Sequence, residues 1–247
     1  MSVTHKQSQP VTVSFSGMDG AGKSTQIKAL CSRAREAGLI VRVVPFWDEV
    51  ARFTSIREKS GHALFGGDKG VGSPDRPIER RDKNVRKWYM SLVRLFIYSA
   101  DALSLRLVVG KAKGSGADFI IFDRYAYDEL ANLNLRNPFW RLYARLIMKL
   151  VPRPGVSYVL DADPIAARAR KPEYPIKFLY TCRESYLTLS RLLGGITVIP
   201  PMAVRDVELR VLEHVLRIAP QVVSGPMSSD RVAQTQLGGQ SARPAAS

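Results

Sequence analysis

The sequence predicts an α/β fold in which a five-stranded parallel sheet lies between two layers of helices. Strand-like and helix-like segments alternate along the chain, a glycine-rich loop joins the first strand to the first helix, and one strand candidate is apolar throughout. Strand–helix–strand units at this spacing form right-handed crossovers in parallel sheets. The wholly apolar run, Phe119-Ile120-Ile121-Phe122, suits a central strand that is covered on both faces.

The first strand and helix flank the glycine-rich loop. Val11-Thr12-Val13-Ser14-Phe15 is a β-prone run. After the loop, the spacing i, i+3, i+4, i+7 that is typical of one helix face is matched by Ile27, Leu30, Cys31 and Ala34. Gly38 stands where a helix C-cap is expected. The second strand is predicted over 39–44, ended by Pro45.

The later elements continue the alternation. The remaining predicted strands are Val156–Leu160 and Ile196–Ile199. The remaining predicted helices are a long stretch from about Ile78 to Lys113, a helix or helix pair from about Ala126 to Leu150 interrupted near Asn137-Pro138, a helix from Pro164 to near Pro172 capped by Asp163, and the helices Ile176–Leu193 and Val204–Ile218.

The chain suits one domain, predicted over residues 11–220. Residues 1–10 are polar and unpatterned, and residues 221–247 turn to Ser, Gly, Gln, Pro and Ala, so both are predicted to be flexible tails. Five glycines between Gly61 and Gly72 predict a long loop, of the kind that serves as a lid or is disordered.

Composition favours a cytoplasmic protein without a membrane span or secretory leader, because no run of eighteen apolar residues and no N-terminal apolar h-region occur. The two cysteines, Cys31 and Cys182, lack metal-ligand spacing and are predicted to be ordinary core residues. The net charge of +15 is spread over several segments. The spread of this charge indicates solvated helix faces and some basic residues around bound phosphates, and dedicated nucleic-acid binding is not expected. The oligomeric state is open, with a homodimer as one option.

The glycine-rich loop has the spacing of a phosphate cradle. The pattern G-x-x-x-x-G-K-[ST] is matched by Gly17-Met18-Asp19-Gly20-Ala21-Gly22-Lys23-Ser24, with Thr25 following. Gly20 and Gly22 let the backbone approach an oxyanion, and N–H groups at a helix start converge on negative charge. Lys23 is expected to reach the β- and γ-phosphates of a nucleoside triphosphate, and the Ser24 hydroxyl to bind Mg²⁺.

Two strand ends carry further candidates, because open α/β sheets bind ligands beyond the carboxyl ends of their strands. Asp123 follows the apolar strand and is placed to hold Mg²⁺, a role compatible with capping the next helix. Trp47 and Asp48 follow the second strand and are candidates for the wall of a second-substrate site. The alternative is that Trp47 is an ordinary packed aromatic residue and that the acid beside it is simply solvated.

These features resemble the thymidylate kinases among the nucleoside-monophosphate kinases. The resemblance lies in the loop with its acid at Asp19, in Asp123-Arg124-Tyr125, which is similar to a D-R-Y/F motif, and in weaker matches around 158–161, Pro164 and 183–186. It covers roughly residues 11–218 and implies a three-layer α/β/α P-loop kinase fold. The implied reaction transfers the γ-phosphoryl of ATP, with Mg²⁺, to a small-molecule acceptor such as a nucleotide.

The resemblance also implies residue roles. Nucleotide contacts are expected from residue 17 and residues 19–25, and acceptor contacts from Asp19, Arg124 and Tyr125. Trp47 and Asp48 are added as acceptor contacts because of their position after the second strand. Arg124 would clamp the acceptor phosphate. The loop lacks an arginine, which resembles the family form that supplies one from the lid; Arg170 is the choice here, with Arg168 and Arg183 as alternatives.

The acceptor half departs from the family pattern. Residues 45–49 stand where the family has an R-E-P-G-G-type segment, and residues 99–102 lack the Arg and Gln of the family's R-A-Q segment. Residues 127–132 stand where the family has S-x-A-Y-Q, and the connector at Pro172 is shorter than the usual lid. The resemblance implies a nucleoside monophosphate as the acceptor, either dTMP or, because of these departures, a related compound. A P-loop kinase of another small molecule or nucleoside, an ATP-binding protein such as a regulator or nucleic-acid-associated ATPase, and an inactive member are the alternatives.

Overall fold

The computed structural model describes residues 9–51 and 88–218. Within them, five parallel strands form one sheet, and these strands are β1 (Val11–Ser16), β2 (Val41–Pro45), β3 (Phe119–Asp123), β4 (Val156–Leu160) and β5 (Thr197–Ile199). Their order across the sheet is β2-β3-β1-β4-β5. The predicted tails and the Gly61–Gly72 loop lie outside the described residues, apart from residues 9 and 10 at the end of the first tail.

Helices connect the strands. They are α1 (Lys23–Glu36), α2 (Trp88–Lys113), α3 (Ala126–Leu130), α4 (Pro138–Leu150), α5 (Pro164–Arg170), α6 (Ile176–Leu193) and α7 (Val204–Ile218). A π-helical turn over Phe46–Val50 directly follows β2. Among the described residues, no helix has the length and apolar character needed to cross a membrane.

The predicted fold class is confirmed, and most predicted elements are present. β2 begins two residues later than predicted, and the N–H of Ile40 donates to the side chain of Asp118 at 2.9 Å rather than to a strand carbonyl. The predicted cap at Asp163 is present, with its Oδ1 accepting from the N–H of Ala166 at 2.9 Å. The interruption near Asn137 separates α3 from α4, and Asn137 caps α4.

Each face of the sheet carries its own apolar core. Alternate residues of β3 divide between the two faces, as a strand requires. Ile120 and Phe122 pack in the cluster that contains α2, α3, α4 and α6. Phe119 and Ile121 pack in the cluster that contains α1 and α7. β3 is therefore covered on both sides, which explains its uninterrupted apolar sequence.

The parallel register brings three strand ends together at one edge. Phe15 and Pro45 both lie opposite Asp123, so the carboxyl ends of β1, β2 and β3 are neighbours. The glycine-rich loop leaves this edge from β1 and enters α1. The chain also changes direction across the sheet at β1, where ligand clefts of open α/β sheets form.

Two leucines of α2 test the packing on one face. Leu105 is fully buried whereas Leu103 is 63% exposed. We expect Leu105→Ala to lower the free energy of unfolding by about 3 kcal/mol, because it leaves a cavity. Leu103→Ala is the matched control and should change it by less than about 0.5 kcal/mol. Urea denaturation measures both, and equal losses in the two variants would contradict this packing.

Candidate functional site

The glycine-rich loop, residues 17–24, wraps closely against neighbouring backbone. Gly17, Gly20 and Gly22 all have positive φ angles, of 140°, 80° and 89°. A Cβ at Gly17 would lie 2.6 Å from the carbonyl oxygen of Leu160, and one at Gly20 would lie 2.5 Å from that of Ala167. A Cβ at Gly22 would meet no described atom within 4 Å. The first two glycines thus seat the loop on β4 and α5, while the third faces open space at the start of α1.

The side chain of Lys23 spans this loop. It is buried, and its Nζ donates to the carbonyl oxygens of Gly17 at 2.8 Å and Met18 at 2.9 Å. Burial, followed by the positive charge of Arg124, lowers the pKa of the ammonium to about 8. The ammonium is therefore held against the backbone of the loop by these two carbonyls.

Asp123 lies at the same edge of the sheet as Lys23. The carboxylate is at the tip of β3, and β3 pairs with β1, from which the loop leaves. Its charge is one of those that raise the pKa of Lys23 against the effect of burial, so the two groups are within electrostatic reach. The partly buried carboxylate thus faces the region of the loop.

Ser24 and Asp123 fit a magnesium ion that is bound together with a nucleotide. Ser24 is exposed in the first turn of α1. In the part of the chain that the structure describes, no group of three or more His, Cys, Asp or Glu residues could hold a metal by itself. One hydroxyl and one carboxylate are hard oxygen donors, and Mg²⁺ ordinarily completes such a shell with phosphate oxygens and water.

A cavity of about 270 Å³ opens beside the loop, and we call it the Arg124 cavity. It combines charged groups with aromatic walls, and it is lined by Met18, Asp19, Trp47, Arg124, Asp128, Ala131, Asn132, Lys171, Glu173, Tyr174, Phe178, Leu179, Cys182 and Tyr186. The residues come from the loop, the turn after β2, the end of β3 with α3, and the connector 171–175 with α6. Two cations and three carboxylates are among these residues, so the cavity suits a small ligand that combines a flat apolar part with polar groups.

Asp19 joins the loop to the Arg124 cavity. Its Oδ1 accepts from Nη2 of Arg124 at 2.5 Å and lies 4.0 Å from Nζ of Lys23. Burial opposes ionisation of Asp19, but the charges of Arg124 and Lys23 outweigh burial and hold the pKa of this carboxyl below its usual value. One carboxylate therefore lies between the two cations.

The three candidate lid arginines occupy different places. Arg170 donates from Nε to the carbonyl oxygen of Gly20 at 2.9 Å, so it already contacts the loop. Arg183 makes two bonds of 2.7 Å to the carboxylate of Asp161 after β4. Arg168 lines a separate open groove beside α5. The geometry favours Arg170 as the arginine nearest the loop.

The residues predicted to contact the acceptor lie in different environments. Trp47 lines the Arg124 cavity, but Asp48 is exposed and does not line it. Tyr125 is fully buried, donates from its hydroxyl to the carbonyl of Pro152, and packs edge-on against Phe122. The Tyr125 side chain thus belongs to the core and lies away from the cavity.

Several residues that line the cavity had no predicted functional role. The face of α6 toward it carries Phe178, Cys182 and Tyr186 at intervals of four. This stripe was visible in the sequence, but a stripe of apolar and aromatic residues at helical spacing is equally typical of a core. Asp128 and Asn132 carried no motif and could be found only from the fold.

Comparisons with known proteins confirm the resemblance. A curated protein of Pyrobaculum aerophilum, described as a probable thymidylate kinase, is 26% identical over 222 residues, covering 83% of this chain and 96% of the relative. The crystal structure of a thymidylate kinase from Ehrlichia chaffeensis matches with a TM-score of 0.51 and 16% identity, covering 84% of this chain and 99% of that one. The second likeness supports the fold. No protein-family model matches the sequence.

Gly20→Ala and Gly22→Ala separate backbone strain from steric conflict. Both residues have positive φ angles, so both variants carry similar strain, but only the Cβ at position 20 meets backbone, at 2.5 Å. We expect Gly20→Ala to lower the melting temperature more, since the loop and α5 must move apart. Calorimetric melting measures the difference. An equal or larger drop for Gly22→Ala would contradict the described seat of the loop.

Proposed function

We propose that this protein is a nucleotide kinase that transfers the γ-phosphoryl group of ATP to a nucleoside monophosphate, dTMP or a related acceptor. The observation that carries the proposal is the position of Asp19, whose Oδ1 lies 2.5 Å from Arg124 and 4.0 Å from Lys23. A donor bound by the glycine-rich loop and an acceptor bound in the Arg124 cavity would meet at this carboxylate. The proposed compartment is the cytoplasm.

The donor half rests on the loop. The N–H groups of Gly20, Gly22 and the residues up to Thr25 would hold the phosphates, with Lys23 over the β- and γ-phosphates. Ser24 and Asp123 would hold Mg²⁺, which in a bound complex neutralises charge on the β- and γ-phosphate oxygens.

The acceptor half rests on the Arg124 cavity. Arg124 offers a planar set of N–H donors that matches a phosphate monoester. Trp47 and Phe178 provide aromatic surface for a flat base, and both line the same cavity. The names of the relatives add support for a nucleotide acceptor.

The proposed reaction is one direct displacement. An oxygen of the acceptor phosphate attacks the γ-phosphorus of ATP, a new P–O bond forms, and the bond between that phosphorus and the β,γ-bridging oxygen breaks, so the products are ADP and a nucleoside diphosphate. Lys23 and Arg170 would donate to the oxygens on which charge develops, and the remaining contribution is positioning.

One observation favours an acceptor other than dTMP. The segment 99–102 takes the place of the family's R-A-Q, and the Ser99 hydroxyl donates to the Leu95 carbonyl at 2.7 Å and lies 3.2 Å from the Tyr143 hydroxyl. None of these three side chains lines the Arg124 cavity. A different nucleotide, or a different small molecule, is therefore the second candidate.

A coupled ADP-release screen across nucleoside monophosphates and nucleosides tests the proposal. We expect turnover that depends on one added acceptor, and a drop of roughly a thousandfold in kcat for Lys23→Ala, because that variant removes a cation from the transferring group. Release of ADP that no acceptor stimulates would contradict the kinase proposal. Acceptor-dependent turnover unchanged by Lys23→Ala would contradict the role of Lys23.

The pH dependence of ATP binding follows from Lys23. Its pKa is lowered to about 8 by burial, so the ammonium is charged below this pH and becomes neutral above it. A bound triphosphate raises the pKa again, so ATP affinity should fall as the pH rises through about 8, and binding near pH 8.5 should take up a proton. Titration calorimetry in two buffers of different ionisation enthalpy measures this uptake, and Lys23→Ala should abolish it. Buffer-independent heats with the unmodified protein would contradict the expectation.

A further inference from the structure

Arg124 is held in an unusual backbone conformation at the floor of its cavity. Its φ angle is +72°, and among the described residues it is the one non-glycine residue with a positive φ. Such a conformation is disfavoured for a side chain with a Cβ and persists where surrounding bonds determine it. Its N–H donates to the carbonyl oxygen of Phe15 at 3.0 Å, which ties this corner to the end of β1.

Asp128 connects Arg124 and its corner to β1 and to α6. Its carboxylate is almost fully buried, with 1% of the side chain exposed. Oδ2 accepts from the Ser16 hydroxyl at 2.6 Å and from the Tyr125 N–H at 3.0 Å. Oδ1 accepts from the Tyr186 hydroxyl at 2.8 Å and lies 3.4 Å from Nη1 of Arg124. One carboxylate thus links β1, the corner after β3 and α6.

The two carboxylates hold the guanidinium by different nitrogens. Nη2 of Arg124 donates to Asp19, and Nη1 donates to Asp128. A planar group fixed at two points keeps one orientation, and since it has five N–H donors, others remain to meet a ligand in the cavity. Without Asp128, Asp19 alone would hold the guanidinium, and the group could rotate about that bond.

We propose that Asp128 is a positioning residue that sets the Arg124 guanidinium to receive the acceptor phosphate and links that setting to α6 through Tyr186. This inference rests on the proposed kinase function. The resemblance to thymidylate kinases assigns no role to Asp128, because residues 127–132 depart from the family pattern. If Asp128 were only a helix cap, its bonds to Ser16 and to the Tyr125 N–H would be sufficient. Asp128 also contacts Arg124 and Tyr186, and both of these residues line the cavity.

Asp128→Asn tests the proposal, since asparagine keeps the size but loses the charge and one acceptor oxygen. Because hydrogen bonds to charged groups are among the strong ones, we expect kcat/KM for the acceptor to fall roughly ten- to hundredfold, while KM for ATP changes less than about twofold. In a protein that already carries Arg124→Lys, adding Asp128→Asn should have little further effect, so that kcat/KM of the double variant is within about threefold of that of Arg124→Lys alone. Additive losses in this cycle would overturn the proposal, as would equal losses for ATP and acceptor.

Glu129→Gln is the matched control, because Glu129 is a buried carboxylate of the same helix that does not line the cavity. It should leave the acceptor KM within about twofold, and a loss as large as that of Asp128→Asn would overturn the proposal. If Asp128→Asn does not fold, as judged by melting, Tyr186→Phe takes its place. That variant removes one bond to Asp128 and should raise the acceptor KM severalfold; an unchanged KM would overturn the proposal.

Two different measurements separate this inference from the proposed function. Acceptor-dependent turnover by the unmodified protein tests the kinase proposal alone. If turnover is absent, calorimetric binding of each nucleoside monophosphate of the screen to the unmodified protein, Asp128→Asn and Glu129→Gln still tests the position of Arg124. Weaker binding of the best-bound monophosphate only in Asp128→Asn supports the inference; equal binding in all three proteins, including no binding of any monophosphate to any of them, overturns it.

Discussion

The contact between Asp19 and Arg124 is the interaction on which the site depends. It joins a residue of the glycine-rich loop to the residue that follows β3, two segments more than a hundred positions apart in the chain. Both groups are partly buried, with about a fifth to a quarter of each side chain exposed, at 24% and 21%. Removing either partner would leave the other charge poorly solvated, so each residue constrains the position of its partner. The glycine-rich loop and the Arg124 cavity therefore share a wall.

The sheet topology makes this contact possible. β1 lies between β3 and β4, so the loop after β1 has the β3 corner on one side and α5 on the other. Arg124 reaches Asp19 from the first side, and Arg170 reaches the Gly20 carbonyl from the second. The glycines at 17 and 20 permit the close approach that brings these side chains into range. Cations from two distant segments thereby surround one loop.

Much of the donor half was predictable because it depends on local patterns. The glycine spacing, the apolar β3 strand and the cap at Asp163 each have a short sequence signature, and the elements they predict are present. The acceptor half depends on tertiary contacts. Asp128 looks like an ordinary first-turn acid in α3, and only the fold brings it to Arg124 and Tyr186. Tyr125 shows the opposite case, since its place in the motif suggested a ligand contact and its ring packs in the core.

The most direct measurement of the central claim is a crystal structure with a non-hydrolysable ATP analogue, Mg²⁺ and a nucleoside monophosphate. The account predicts the triphosphate on the glycine-rich loop, with the terminal phosphate bound by Lys23 and Arg170. It also predicts the monophosphate in the Arg124 cavity with its phosphate on Arg124. A triphosphate bound away from Lys23, or a monophosphate bound outside this cavity, would contradict it.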